Sequence, residues 1–312
     1  MDLSSLLPRR RSRRDRLVGV ALGDQGVGVA VLNTSGRLEV AEHRPADAGV
    51  DGWAAALRAA VHDHGLQRCP CVAVVPRGSY QVQQLEAPAV PGEELQTAVR
   101  WRLKDVVDVP LEQAVTDVIL VPPPPTRDVA NMLYGIVARR RLMDEYADLV
   151  DQAGLHLAAL EIREMAVRNL AALCPEQGGG IAVLAVDSDE GLLVVSREDS
   201  LYLARSLEIG GIHLRADTSQ VSERLALEVQ RSLDYYDSQL YGAPPSRVLL
   251  LPLTEFDESA VVGDLNAHLG ASVEMLELEH WLETPDSLSS GQQQRAALAI
   301  GAALRLRARG RA

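Results

Sequence analysis

The same order of secondary-structure elements is predicted twice along this chain of 312 residues. Three short β-rich runs, a helix and a buried strand occupy residues 17–75, and the same order returns over residues 181–251. Turn residues separate the runs, as at residues 23–26 in the first copy and 187–190 in the second. Because independent turn and period signals must coincide in both copies, this β-β-β-α-β repeat predicts a duplicated α/β architecture with two lobes.

A segment of different character lies between the two copies. It predicts an amphipathic helix over residues 93–107, strands over 117–121 and 131–137, and a helix over 140–153. We interpret it as an α/β subdomain of about residues 80–150 inserted in the first lobe. The whole chain is then predicted to consist of a basic flexible tail at 1–16, a first lobe at 17–180 that contains this insertion, a second lobe at 181–306 and a basic tail at 307–312.

The charge of the chain is unevenly distributed. Six arginines and two aspartates lie within residues 1–16, four arginines lie within 305–311, and the formal net charge is −12, which leaves the body between them near −20. A body this acidic disfavours nucleic acid, whose phosphates dominate its affinity for proteins. The arginine tails are consistent with peripheral contact to anionic lipid, or with plain solvation, and both interpretations stay open.

Rare residue types exclude further classes. The single lysine, Lys104, has no glycine-rich run before it, which excludes a Walker-type phosphate loop. Three cysteines in a chain of this length favour a reducing compartment over a disulfide scaffold. We find neither a secretion signal nor an apolar run long enough to cross a bilayer, so a cytoplasmic location is expected.

One short window contains metal-ligand residue types, since His62 and His64 are followed by Cys69 and Cys71. Positions i and i+2 point to different sides of a helix, and the cysteines flank a proline at a strand entry. We therefore assign no metal site. No nucleophile motif or supported carboxylate pair is present, so we assign no catalytic residue either.

Several motifs, in order along the chain, carry a family resemblance. They are the run from Glu93 to Asp105, the run from Gly154 to Ile162, the Gly210-Gly211 pair, the run from Glu228 to Tyr236 and the run from Ala299 to Arg305. In order and spacing the chain resembles the PilM proteins of type IV pilus assembly, and more closely the MshI proteins of mannose-sensitive-haemagglutinin (MSHA) pilus biogenesis. The likeness extends over nearly the whole chain outside the tails.

This resemblance implies a ribonuclease H-type, actin-like fold with an FtsA-like arrangement, an inserted α/β subdomain in the first lobe and a reduced lid in the second. It implies a protein at the cytoplasmic face of the inner membrane that binds the cytoplasmic N-terminus of a bitopic partner similar to PilN or MshJ, together with other pilus assembly components. It also implies ATP and Mg²⁺ between the lobes. Formation of a homo-oligomer stays open.

The nucleotide motifs of the family match this chain poorly. Alignment on the first phosphate hairpin places Ala21 at the aspartate and Gly28 at the lysine, and the second hairpin retains Asp187. The lid between Gly211 and the next helix is largely absent, and we expect the arginines to lie in the tails and helices rather than in the cleft. We therefore expect a degenerate site in which Asp187, Gly210 and Gly211 are the remaining nucleotide-binding candidates, and no bound cofactor.

The resemblance places the partner in a groove between the first lobe and the insertion. The candidates there are Gln84, Trp101 and Leu103, because large side chains in a desolvated groove dominate such binding. The alternative for Leu103 is that it closes the core of the subdomain. We thus expect a non-catalytic adaptor of type IV pilus biogenesis. The alternative function is an ATP-binding switch or ATPase of the PilM type.

Overall fold

The computed structural model of the chain describes residues 16–104, 107–123, 131–176, 179–240, 243–285 and 289–309. The predicted tail at 1–16 therefore lies outside the described residues except for Arg16, which begins the first strand. The last helix extends to Arg309, three residues beyond the predicted end of the second lobe. Among the described residues, none of the helices is long and apolar enough to cross a membrane.

The first lobe contains a five-stranded sheet in the order β3-β2-β1-β4-β8. Strands β1 to β3 form the predicted antiparallel meander, and β4 and β8 run parallel to β1. One face of the sheet packs against helices α1 and α3 around Trp53 and Leu57. The bounds are β1 Arg16–Gly23, β2 Gly26–Asn33, β3 Leu38–Pro45, α1 Val50–Asp63, β4 Pro70–Val74, α3 Arg140–Gln152 and β8 His156–Glu161.

The second lobe repeats this topology, with the order β11-β10-β9-β12-β13. Strand β12 runs parallel to β9, as β4 does to β1, which confirms the duplication. Helix α5 has only six residues and α6 starts two residues after its end, so little of a lid stands between them. The bounds are β9 Ile181–Val186, β10 Gly191–Arg197, β11 Ser200–Leu207, α5 Gly211–Ala216, α6 Thr218–Tyr235, β12 Arg247–Pro252, α7 Glu258–His268 and β13 Ser272–Met275.

The insertion is a three-stranded sheet in the order β5-β7-β6, with β5 Tyr80–Glu86, β6 Ala114–Leu120 and β7 Met132–Arg139. Helix α2, Gly92–Leu103, covers one face of it through Val99 and Leu103. Helix α3 lies in the predicted range of about 80–150 but packs with the first lobe, where the Tyr146 and Trp53 rings form a T-shaped pair with their centroids 6.0 Å apart. The separate sheet of the insertion thus ends at Arg139.

Helices α4 Arg163–Ala171 and α9 Ala297–Arg309 lie between the two five-stranded sheets, and α8 Ser290–Arg295 precedes α9. Small residues allow the backbones to meet. A Cβ atom on Gly19 of β1 would lie 1.8 Å from the Ala299 carbonyl oxygen, and one on Gly301 would lie 2.2 Å from that of Ala166. The Asn169 amide also donates to the Gly301 carbonyl at 2.9 Å. The centre of the molecule is therefore assembled by direct backbone contact.

The insertion also contacts the second lobe. The Tyr134 hydroxyl of β7 accepts a hydrogen bond from the Ala204 amide of β11 at 3.0 Å. The Tyr235 hydroxyl of α6 donates to Gln84 of β5 at 3.4 Å. The inserted sheet is thus attached to both lobes, through the chain to the first and through these side chains to the second.

Candidate functional site

The carboxyl ends of β1, β4 and β9 meet between the lobes, at the edge where α/β sheets commonly bind ligands. The first hairpin reaches this edge with small residues, since Ala21 and Gly28 form a cross-strand pair. The Trp53 indole covers its turn by donating to the Gly23 carbonyl oxygen at 2.9 Å. A Cβ atom on Gly28 would be 3.6 Å from that of Ala299, so α9 closes the space beside the pair.

The second hairpin, at residues 187–190, is strongly charged and faces two arginines of the first lobe. Arg77, in the loop after β4, contacts Asp189 and Glu190 at 2.5 Å each. Arg163, the first residue of α4, pairs with Glu190 and lies 3.8 Å from Asp187. The expectation that the arginines avoid the cleft is therefore wrong, because these two come from segments whose pairing is not visible in the sequence.

Arg163 is the most buried of these charges, with 5% of its side chain exposed. Burial acts to lower the pKa of its guanidinium, but the surrounding groups Glu190, Tyr80 and Glu164 together oppose burial and the net pKa is raised. The Tyr80 hydroxyl of the insertion accepts from the Arg163 amide at 3.2 Å and donates to Glu164 at 2.7 Å. The ionic cluster is thereby connected to the first strand of the insertion.

The three predicted nucleotide-binding residues lie side by side. The Gly211 amide donates to the Asp187 carbonyl oxygen at 2.8 Å, and the Gly210 amide donates to the ring of His213 at 3.0 Å. A Cβ atom on Gly210 would lie 2.3 Å from the Glu190 amide nitrogen, so only glycine allows the hairpin to rest there. The backbone donors that a phosphate needs are thus already used within the protein.

The end of β12 is also covered. A Cβ atom on Gly211 would lie 2.4 Å from the Thr254 methyl group, and the Arg215 guanidinium hydrogen-bonds the Glu255 carbonyl oxygen. Together with the paired arginines, this donor set does not fit a magnesium nucleotide. The triphosphate would have to displace carboxylates from both Arg77 and Arg163.

A second candidate site is a groove of about 850 Å³ between the insertion and the first lobe. The free face of the inserted sheet forms one wall and α4, with the end of β8, forms the other. The residues that line it are Val75, Tyr80, Gln96, Val115, Thr116, Asp117, Val118, Ile119, Ile136, Ala138, Met143, Leu160, Glu161, Ile162, Met165, Arg168, Asn169 and Arg305.

The groove is mostly apolar with charged groups at one side. Arg305 of α9 pairs with the buried Glu161 at 2.5 Å, and burial raises the pKa of Glu161 although Arg305 opposes that shift. Burial lowers the pKa of the nearby Arg168, whose Nε atom is buried without a hydrogen-bond partner. Such a guanidinium is favourably placed for an acceptor on an incoming ligand.

The three predicted partner residues do not line this groove. Gln84 faces the second lobe, and Leu103 is fully buried against β7. Trp101 lies on the outer face of α2 with 64% exposure, and the Lys104 ammonium is 5.8 Å from its ring centroid. The structure thus separates Trp101 from the groove, whose walls come from distant segments with no common local pattern.

The two histidines and two cysteines that were considered as metal ligands differ in their surroundings. His62 is exposed, His64 lies 3.2 Å from Glu42, and both Cys69 and Cys71 are buried. Within the described ranges, no group of three His, Cys, Asp or Glu side chains is placed to hold a metal ion.

The two sheets, the helices between them and the cleft at their strand ends define an actin-like ATPase fold. A Bacteroides thetaiotaomicron protein with that fold and unknown function is 9% identical and gives a TM-score of 0.50, over 93% of this chain and 98% of that one. No protein-family model matches the chain, and neither does any curated protein sequence.

Within this fold, the chain is similar to a protein of the PilM–PilN type IV pilus biogenesis complex. The TM-score is 0.68 at 20% identity, over 94% of this chain and 99% of that one. It is also similar to the cytoplasmic domain of EpsL, an inner-membrane component of the Vibrio cholerae type II secretion system, with a TM-score of 0.51 at 13% identity over 95% of each chain. The expected fold class is therefore confirmed.

Proposed function

We propose that this protein is a PilM-like adaptor of type IV pilus biogenesis that binds the cytoplasmic N-terminal segment of a PilN-like membrane protein in the groove. The observation that carries the proposal is a mostly apolar groove of about 850 Å³ in a chain that matches, nearly end to end, a protein of a PilM–PilN complex. A partner of the MSHA type, similar to MshJ, is the specific form suggested by the sequence motifs.

The groove favours insertion of side chains over addition of a strand. At the outer edge of β6, the Gln96 amide donates to the Thr116 carbonyl oxygen at 3.0 Å and Arg140 donates to that of Ala114 at 3.3 Å. The Asp117 carboxylate accepts from the Val118 amide at 2.8 Å. Because these three backbone groups already have partners, we expect a bound segment to gain most of its affinity from apolar side chains placed between Ile119 and Met165.

In this proposal the adaptor reaches the inner membrane through its partner. The predicted contact of the arginine tails with lipid involves residues 1–15 and 310–312, which lie outside the described part of the chain. In this proposal the body carries the partner site, and the protein acts at the cytoplasmic face of the inner membrane.

The partner claim is tested with a synthetic peptide of about fifteen residues from the N-terminus of a PilN-like protein. We expect saturable binding at micromolar concentration in isothermal titration calorimetry, with a negative heat-capacity change because apolar surface is buried. A peptide of the same composition in scrambled order is the control. Equal binding of both peptides, or no binding at high micromolar peptide, contradicts the proposal.

The alternative, an ATP-binding switch, is suggested by the adjacency of Asp187, Gly210 and Gly211 at the cleft. We expect no measurable heat on titration with Mg-ATP, because the amides and arginines of the cleft are already paired. Binding at micromolar concentration would favour the switch and contradict the adaptor with a degenerate site. The same titration with the partner peptide present checks whether a bound partner changes the result.

A further inference from the structure

We infer that an ionic clamp closes the cleft between the lobes in the place where a nucleotide is expected from the fold. The clamp consists of Arg77 and Arg163 of the first lobe and Asp187, Asp189 and Glu190 of the second. This inference goes beyond the proposed function, because the clamp would hold the cleft closed in the protein alone, without a partner or a nucleotide.

The geometry of the clamp is that of a linked network rather than of isolated surface pairs. The Arg77 guanidinium divides its two Nη atoms between Asp189 and Glu190, at 2.5 Å each. Glu190 in turn joins both arginines, since its other carboxylate oxygen pairs with Arg163. Its side chain is 16% exposed and that of Arg163 is 5% exposed, so water screens these charges less than it screens a surface pair.

Each half of the clamp is also held by contacts that do not cross the cleft. In the second lobe, the Asp187 amide donates to the Glu190 carbonyl oxygen at 2.9 Å, and the Ile212 amide donates to that of Ser188 at 2.8 Å. In the first lobe, the contacts of Tyr80 with the Arg163 amide and with Glu164 hold the start of α4. Because these contacts fix the backbone of both halves, pairing across the cleft costs less backbone entropy than pairing between mobile loops.

The clamp also accounts for the mismatch with a magnesium nucleotide. Its three carboxylates and two guanidinium groups leave one net negative charge, which opposes a triphosphate instead of attracting it. The attraction that bound phosphates and metal would supply across the cleft is supplied here by side chains. Closure of this cleft is therefore expected to respond to ionic strength and not to ATP.

Hydrogen–deuterium exchange of the full chain without partner tests the clamp, with Arg77→Gln as the main variant. Arg77 has 38% of its side chain exposed, so its loss leaves the cores intact. We expect at least a tenfold faster exchange of the amides at 187–190 and 210–212 in this variant. In the unmodified protein, raising salt from about 0.1 M to about 1 M is expected to produce a smaller increase, because salt screens the exposed Arg77–Asp189 pair more than the buried Arg163–Glu190 pair. Mg-ATP is expected to leave exchange unchanged.

Two further variants make the result decisive. Glu190→Gln removes the carboxylate that joins both arginines and is expected to act like Arg77→Gln. Arg231→Gln removes an exposed pair with Glu228 inside the second lobe and is expected to change nothing at the cleft. Unchanged exchange in both cleft variants, or protection of the unmodified protein by Mg-ATP, would overturn the clamp. Partner-peptide affinity, measured separately on Arg77→Gln, is expected to equal that of the unmodified protein, so a failed clamp and a failed partner site give different results.

Discussion

Replacing Gly19 by valine is expected to lower the free energy of unfolding by about 3 kcal/mol or more. The new side chain would start 1.8 Å from the Ala299 carbonyl oxygen and 2.7 Å from the Ala303 amide nitrogen. These are backbone atoms of α9, so the helix itself must move away from β1 and leave the packed layer between the sheets. Urea unfolding followed by circular dichroism measures the loss.

Gly263→Ala is the matched control, because a Cβ atom at Gly263 of α7 meets nothing within 4 Å. Alanine in a helix interior is expected to raise the unfolding free energy by about 0.5–1 kcal/mol. A Gly19→Val protein as stable as the unmodified one would contradict the assembly of the centre by backbone contact of β1 with α9.

Truncating the two walls of the groove together, by Ile119→Ala with Met165→Ala, is expected to weaken binding of the partner peptide ten- to a hundredfold or more. Anchors in a desolvated groove commonly contribute more than 1 kcal/mol each, and about 1.4 kcal/mol corresponds to a factor of ten in affinity. Trp101→Ala, on the outer face of α2, is expected to leave affinity unchanged. Calorimetric titration of each variant separates the groove from the surface around Trp101.

Leu120→Ala is the control for the groove, since Leu120 lies on the same strand as Ile119 and is 58% exposed outside the groove lining. It is expected to bind like the unmodified protein. If Trp101→Ala weakens binding while the double groove variant does not, the partner surface lies on α2 and the groove proposal fails. Unfolding midpoints of all variants show whether a loss of affinity reflects a loss of folded protein.

Much of the fold could be predicted because its signals are local and occur twice. The strands and helices of the two copies lie close to the predicted ranges 17–75 and 181–251, with turns near 23–26 and 187–190, and the short α5 agrees with the predicted loss of a lid. The boundary of the insertion is harder, because α3 follows β7 without a break and only its packing on α1 assigns it to the first lobe. Helix periodicity identifies a buried face but not the neighbour that covers it.

The cleft and the groove could not be predicted in the same way, because their ion pairs join residues that are far apart in the sequence. Arg77 and Asp189 are 112 positions apart, and Glu161 and Arg305 are 144 apart. Ala21 and Gly28 directed the prediction to the cleft, but the cations there, Arg77 and Arg163, come from a loop and a helix start outside those motifs. Leu103 is a further example, because an apolar stripe on a helix is equally consistent with a core position and with a groove position, and Leu103 is buried in the core.

The contacts of the insertion with the second lobe have a mechanical consequence for an adaptor. Tyr134 and Gln84 fasten the inserted sheet to β11 and α6, while the chain itself fastens the sheet to the first lobe. In the proposed adaptor, tension on a segment held in the groove would therefore be transmitted to both lobes and not to the inserted subdomain alone. A membrane partner that moves against this protein would pull on the whole body at once.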